Sequence, residues 1–148
     1  MENKMELKFS ALSQNESFAR ATVAGFCLPA NPTLDEITDI KTAVSEAVTN
    51  CIVHAYPDKL NGDILLTCTL NGKSITITVR DYGVGIKDLN KAREPFYTTR
   101  PLEERSGMGF TVMETFMDDL NVENAVGGGL QVTMHKTFCQ EEQLKDIV

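Results

Sequence analysis

The stretch "SEAVTNCIVHAY", residues 45–56, carries Glu46, Asn50 and His54 at four-residue intervals in an otherwise apolar segment. In a helix, four residues advance the chain by about 6 Å and turn it by about 40° past a full rotation, so the three side chains form one slanted stripe. A carboxylate can act as a general base, and an amide oxygen is a suitable ligand for Mg²⁺. An ordinary polar boundary beside an apolar core would show the same pattern, so the stripe alone does not establish a site.

A second polar feature lies in "RDYGVGI", residues 80–86, where Asp81 ends a predicted strand and Gly83 and Gly85 follow. Glycine permits unusual backbone angles and the close approach of a ligand to the chain. A carboxylate held at such a turn can accept hydrogen bonds from an amino group on a planar ring. The alternative interpretation is a plain turn that ends a strand.

A third feature is the glycine pair Gly107 and Gly109 in "SGMGF", at the predicted start of a helix. Backbone N–H groups at a helix start attract phosphate. The segment is not a Walker A loop, because Gly-Lys-Ser/Thr occurs nowhere in the chain, and it lacks the context of a dinucleotide-binding GxGxxG motif. A flexible hinge before a helix remains the alternative interpretation.

Two capping boxes predict where the first two helices begin. Ser13 with Glu16, and Thr33 with Glu36, place a hydroxyl at the N-cap and a carboxylate three residues later. A short alternating strand, "MELKF", precedes the first helix. The helical spacing of apolar residues extends the second helix through the polar stripe until Pro57 ends it.

Four further strands are predicted in two hairpins, "ILLTCTL" with "SITITVRD" across "NGK", and "LNVENA" with "LQVTMHKTF" across "VGGG". Between the hairpins, residues 88–106 form a long polar loop of the kind that often serves as a functional lid. A helix from Gly109 to about Asp119 follows this loop. Paired strands and grouped helices predict an α+β fold, a two-layer sandwich with a mixed, mainly antiparallel sheet covered on one face by helices.

The bulk properties predict one domain over residues 1–148, with residues 138–148 as a frayed tail. The net charge of -7 and the pI of about 4.8 disfavour direct binding to nucleic acid or to an anionic membrane, and they suit a basic protein partner. The N-terminus lacks the apolar core of a signal peptide, and the four cysteines form no CxxC pair. We therefore expect reduced thiols and a cytoplasmic protein.

The order ExxxNxxxH, DxGxGI, lid and GxG resembles the GHKL ATPase and kinase superfamily, which includes gyrase, heat-shock protein 90, the sensor histidine kinases and MutL. The resemblance runs from about residue 5 to residue 137. Gyrase, heat-shock protein 90 and MutL carry further domains, and sensor histidine kinases carry an upstream phosphoacceptor histidine. A domain of this length resembles the bacterial anti-sigma serine kinases, and "PFYTTRPLEERSGMGFTVMETFMD" is similar to the sporulation anti-sigma F factors.

The resemblance implies a role for each polar feature. Asn50 matches the Mg²⁺ ligand, and Glu46 matches the general base that accepts a proton from a serine hydroxyl. Asp81 matches the carboxylate that reads the adenine amino group. The positions implied to bind ATP or to act in catalysis are Glu46, Asn50, Asp81, Gly83, Gly85, Ile86, Thr98, Thr99, Arg105, Gly107 and Gly109. Arg105 is implied to meet the terminal phosphate, and His54 is expected to be structural.

The implied function is that of an anti-sigma factor that binds a sigma factor as a homodimer. With Mg²⁺ and ATP, it would also phosphorylate a serine of a small antagonist protein. Arg20, in the first helix, is a candidate partner contact, and a solvated surface charge is its alternative reading. An anti-sigma kinase of the stress-response branch and a nucleotide-dependent binding module without transfer activity remain the alternatives.

Overall fold

The computed structural model describes residues 2–56, 62–85, 89, 93, 94 and 109–139. In chain order the elements are β1 (Glu2–Ser10), α1 (Asn15–Cys27), a 3₁₀ turn (Leu28–Ala30), α2 (Leu34–Asn50), a π-turn (Cys51–Ala55), β2 (Asp63–Asn71), β3 (Ser74–Asp81), α3 (Gly109–Phe116), β4 (Asp119–Asn124) and β5 (Leu130–Thr137). Every predicted helix and strand is therefore present. Most of the predicted lid lies outside the described residues.

The five described strands form one sheet in the order β1-β2-β3-β5-β4, and each neighbouring pair is antiparallel. The α+β fold and the mainly antiparallel sheet are confirmed. A mixed sheet would contain a parallel pair, and none occurs among these strands. The reason is that β3 and β4 run in the same direction, but the hairpin after β4 inserts β5 between them.

The core lies between the helices and one face of the sheet. Alternate residues of the strands point to this face, as the two-residue repeat of a strand requires. The buried apolar side chains of the two central hairpin strands are Ile64, Leu66, Cys68, Leu70, Ile75, Ile77 and Val79. The opposite face is rich in threonine. No helix in the described ranges combines the length and apolarity needed to cross a bilayer.

The two predicted capping boxes have different outcomes. At α2 the Thr33 N–H donates to Glu36 Oε1 at 2.9 Å, and the Glu36 N–H donates to Thr33 Oγ1 at 3.1 Å, so this box is confirmed. The box at Ser13 is wrong, because α1 has Gln14 at its N-cap and no side-chain cap bond. Instead the Asn15 side chain donates to the Ser10 carbonyl at 2.9 Å, which ties the helix start to the end of β1.

The helix that carries the polar stripe changes its geometry within the stripe. We predicted one α-helix up to Pro57, but α2 ends at Asn50 and a π-turn continues to Ala55. A π-turn bonds each carbonyl to an N–H five residues later, and such turns often occur at functional sites. The wider turn takes His54 out of the α-helical register of Glu46 and Asn50.

Candidate nucleotide-binding site

Asn50 lies where α2 meets the start of α3. A Cβ placed on Gly109, the first residue of α3, would lie 3.1 Å from Asn50 Oδ1 and 3.2 Å from Asn50 Nδ2. Glu46 lies one turn earlier on α2 and is half-buried, as is Asn50. The fold therefore brings the polar stripe and the second glycine of "SGMGF" together, although they are far apart in the chain.

This junction has the chemistry to hold the phosphates of a nucleotide. The backbone N–H groups at the start of α3 attract anions. The amide oxygen of Asn50, directly beside them, is the kind of ligand that Mg²⁺ takes when substrate phosphates and water fill its other positions. The space that Gly109 leaves by lacking a Cβ is what permits this contact. These observations fit a Mg²⁺–triphosphate group.

Asp81 is the other polar centre, and its side chain is 2% exposed at the end of β3. Among the residues that the structure describes, Asp81 is the one charged side chain that is buried. Its Oδ1 accepts hydrogen bonds from the N–H of Gly83 at 3.0 Å and from the N–H of Leu130 at 3.1 Å. The thiol of Cys51, in the π-turn, also hydrogen-bonds to this carboxylate. Three different parts of the chain therefore fix its orientation.

The surroundings of Asp81 act on its charge in opposite directions. Burial raises the pKa of Asp81, while the hydrogen bonds from Gly83, Leu130 and Cys51 lower it by favouring the ionised form. Burial and the nearby carboxylate raise the pKa of the Cys51 thiol well above its usual value, so the thiol stays protonated and donates. The result is an oriented acceptor in a site of low polarity, where a hydrogen bond to a ring amino group is strong.

The glycines after Asp81 are required by close contacts within the protein. A Cβ on Gly83 would overlap the carbonyl oxygen of Ala55. Gly85 has φ +72°, and a Cβ there would lie 2.8 Å from Asn124 Oδ1. The Val84 N–H donates to the same Ala55 carbonyl at 3.3 Å. The loop from Asp81 to Gly85 is thus packed against the end of the π-turn, and its contact with a base stays a prediction.

Comparison with known proteins agrees with this geometry. Residues 9–136 match the family of histidine kinase-like ATPase domains. The protein is 53% identical over 144 residues to the anti-sigma F factor of Bacillus velezensis, covering 97% of this chain and 99% of the relative. It is 55% identical over 139 residues to the anti-sigma F factor of Clostridium acetobutylicum, covering 94% and 96%. The chain belongs to the anti-sigma F factor family.

A solved structure supports the fold of this family member. The RsbU and RsbW domains of a Mycobacterium tuberculosis protein superpose with a TM-score of 0.67 at 18% identity. The match covers 93% of this chain and 33% of that chain. At this identity it shows a shared fold, and it confirms the α+β arrangement expected from the sequence.

Several of the site residues that we predicted for this protein lie outside the described residues. They are Ile86, Thr98, Thr99, Arg105 and Gly107. Arg20 is described: it lies on α1, pairs with Glu16 at 3.5 Å and donates to Ser17 Oγ at 3.5 Å. Its contact with a partner protein stays a prediction. His54 is half-buried in the π-turn.

Sequence reasoning missed three residues that support Asp81. In the sequence, Cys51 belongs to the apolar part of "SEAVTNCIVHAY", and Gly129 belongs to the glycine run of the second hairpin turn. A Cβ on Gly129, which has φ +91°, would overlap the Asp81 carbonyl oxygen, and its neighbour Leu130 donates to the carboxylate. The only sequence signal was the run "GGG", which is longer than a two-residue hairpin turn needs.

We expect Gly109→Ala to lower kcat/KM for Mg-ATP without lowering stability. Alanine is a better helix former than glycine, but its Cβ would press on the Asn50 amide and shift it by a few tenths of an ångström. Since a misplacement of about 1 Å can cost about 10²-fold, we expect a loss of up to about tenfold. Gly25→Ala in α1 is the matched control, because a Cβ there meets nothing within 4 Å. Unchanged kcat/KM would remove Gly109 from the phosphate site.

We also expect the ratio of ATP affinities, wild type over Asp81→Asn, to fall as the pH is lowered from neutrality. The predicted recognition of the adenine amino group requires the ionised carboxylate. Burial raises the pKa of Asp81, so protonation begins at a higher pH than for an exposed aspartate. The amide does not titrate, and the ratio cancels the titration of the triphosphate. Calorimetry across a pH series measures it, and a constant ratio would contradict a role for the charge.

Proposed function

We propose that the protein is an anti-sigma factor that binds and inhibits a sporulation sigma factor. We further propose that it is a Mg-ATP-dependent serine kinase that phosphorylates and so inactivates an antagonist of this inhibition. The observation that carries the proposal is the junction of Asn50 with Gly109, next to Glu46, in a chain that shares about half of its residues with proteins named anti-sigma F factors.

The residues of the site divide the chemistry between them. Asp81 accepts a hydrogen bond from the adenine amino group, and the glycine loop after it lies beside the ring. Asn50 would hold Mg²⁺, and the bound ion would supply positive charge near the transferring phosphate. The oxygen of the serine hydroxyl attacks the terminal phosphorus of ATP, and ADP leaves. Glu46 accepts the proton that the hydroxyl loses in this step. Arg105, which lies outside the described residues, is assigned to the terminal phosphate by the family resemblance alone.

The acidic charge of the protein and the exposed side chains of α1 favour binding to protein partners. The net charge of -7 favours association with a basic surface of a sigma factor. Phe18, which is 55% exposed, and Arg20 both lie on α1, so this helix presents an exposed apolar side chain and a charged one. We propose α1 as part of the partner surface, and a homodimer as the active form. Size-exclusion chromatography with light scattering tests the dimer.

Incubation with γ-labelled ATP and a purified antagonist, with and without sigma factor, tests the proposed function. Label on a serine of the antagonist is the expected result. Free phosphate without labelled protein would indicate an ATPase, and bound but intact ATP would indicate a binding module without transfer activity. A stress-response sigma factor, offered in parallel with a sporulation sigma factor, separates the two branches by which of them is bound.

A further inference from the structure

The hydroxyl of Tyr56 bridges two backbone groups beside Asp81. It donates to the Asp63 carbonyl at 2.7 Å and accepts from the Tyr82 N–H at 2.7 Å. Tyr56 follows the π-turn directly and is 9% exposed. Asp63 is the first residue of β2, and Tyr82 is the residue after Asp81. One side chain therefore joins the end of the Asn50 helix to both strands of the central hairpin.

The bridge occupies a position in the sheet where a ladder pair would otherwise form. The last pair between β2 and β3 is Ile64 with Asp81, so the next pair in register would be Asp63 with Tyr82. Buried N–H and C=O groups need partners. A tyrosine hydroxyl can donate to one and accept from the other, so it satisfies both groups without letting the strands close. The chain can then leave the sheet directly after Asp81.

The tyrosine ring has little freedom to move. A Cβ on Gly62 would overlap the ring. Ala55, which precedes Tyr56, accepts a hydrogen bond at 3.3 Å from the Val84 N–H in the loop after Asp81. Burial raises the pKa of the Tyr56 hydroxyl, so the hydroxyl stays protonated and keeps its donor. The π-turn, the tyrosine and the loop after Asp81 form one packed unit.

We propose that Tyr56 is a positioning residue for base recognition, and that its hydroxyl sets the path of the Asp81–Gly85 loop by holding the β2–β3 ladder open. The inference rests on the nucleotide site proposed above. Without the hydroxyl, the Tyr82 N–H and the Asp63 carbonyl must bond to each other or to water. Either change moves Tyr82, and with it the Gly83 N–H that orients the Asp81 carboxylate at 3.0 Å.

We expect the loss of the hydroxyl to weaken base recognition and to leave the catalytic step nearly unchanged. In Tyr56→Phe we expect the Kd for ATP to rise about tenfold, the scale of leaving a buried hydrogen-bonding group poorly paired. The preference for ATP over GTP is expected to fall by a similar factor, since the adenine amino group is read at Asp81. Because Glu46 and Asn50 lie on α2, we expect kcat at saturating ATP to stay within about twofold.

The experiment has two arms that fail separately. Calorimetry gives the Kd for ATP and for GTP, and saturation kinetics gives kcat. Hydrogen exchange by NMR, without nucleotide, measures protection of the Tyr82 amide, which we expect to fall in Tyr56→Phe while central amides such as that of Ile77 stay protected. Thr22→Val is the control, because it removes another hydroxyl bond, to the Phe18 carbonyl at 2.8 Å in α1, and should leave Kd and selectivity unchanged.

The outcomes distinguish the bridge from the proposed function. Unchanged ATP affinity and selectivity in Tyr56→Phe, with a wild-type protein that prefers ATP, would overturn the positioning role. Equal losses for ATP and GTP, together with faster exchange throughout the sheet, would also overturn it, because they indicate a purely structural residue. A wild-type protein that binds neither nucleotide would overturn the proposed function, and the exchange of the Tyr82 amide would still decide whether the bridge shapes the loop.

Discussion

Replacing Asp81 with asparagine is expected to weaken the binding of Mg-ATP by about 10- to 150-fold, since a hydrogen bond to a charged group is worth about 1.5–3 kcal/mol. Oδ1 accepts two N–H groups, from Gly83 at 3.0 Å and from Leu130 at 3.1 Å. These bonds fix the amide oxygen of the variant at the Oδ1 position, so its NH₂ group replaces Oδ2. A donor would then face the adenine amino group, which is also a donor.

Calorimetric titration with Mg-ATP measures this loss. Asp119→Asn is the matched control, because it removes the same charge from an exposed position at the start of β4. Thermal unfolding should show a folded Asp81→Asn protein, since the two N–H partners of Oδ1 are retained. Wild-type affinity in the variant would show that the carboxylate does not read the base.

The elements that sequence reasoning located well are those decided by neighbouring residues. The second hairpin strand was predicted at residues 74–81 and is observed at Ser74–Asp81, because alternation and the "NGK" turn are local signals. The capping box of Thr33 with Glu36 is likewise complete within four residues. Gly72 has φ +61°, which is the reason the turn uses glycine there.

The features that sequence reasoning missed depend on contacts between distant segments. Ala55 and Tyr56 both contact the loop after Asp81, and this tertiary contact accompanies the π-turn. The five residues of the turn are too few for their apolar spacing to distinguish it from an α-helical turn. Ser13 does not cap α1, and the side chain of Asn15 instead donates a hydrogen bond to a carbonyl at the end of β1. The sequence did not exclude a parallel strand pair, because the position of β5 between β3 and β4 depends on tertiary packing.

The candidate site divides in the same way. Glu46, Asn50, Asp81 and the glycines could be found because their spacing resembles that of a known superfamily. The bridge at Tyr56 could not be found, because a tyrosine before a proline carries no signal of the backbone groups it will meet. Residue types thus pointed to the groups that we propose to contact the nucleotide, and the structure was needed to find the groups that position them.

Glu46→Gln is expected to lower the rate of phosphoryl transfer by about 10²–10³-fold while leaving Mg-ATP binding intact. Loss of a general base costs about 10²–10⁴-fold, and phosphoryl transfer depends largely on positioning and electrostatics, so the lower half of that range applies. Glutamine has nearly the same shape as glutamate but cannot take up the serine proton. Binding of the sigma factor should also be unchanged.

The sign of the effect on affinity separates the two roles that Glu46 could have. It lies one turn from Asn50, which meets the start of α3, so its carboxylate lies near the proposed position of the triphosphate. Two negative groups in proximity repel each other, so the carboxylate does not serve ground-state binding. Glu46→Gln should therefore bind Mg-ATP as tightly as the wild type or slightly more tightly, whereas loss of a structural contact would weaken binding.

Single-turnover phosphorylation of the antagonist, paired with calorimetric ATP binding, separates the chemical step from affinity. Glu6→Gln is the matched control, since it makes the same change of charge on the exposed strand β1 and should transfer phosphate at the wild-type rate. Transfer by Glu46→Gln at a near-normal rate would mean that the proton goes to another group or directly to the phosphate. Glu46 would then be a structural member of the polar stripe, and the catalytic assignment would pass to the charges around the terminal phosphate.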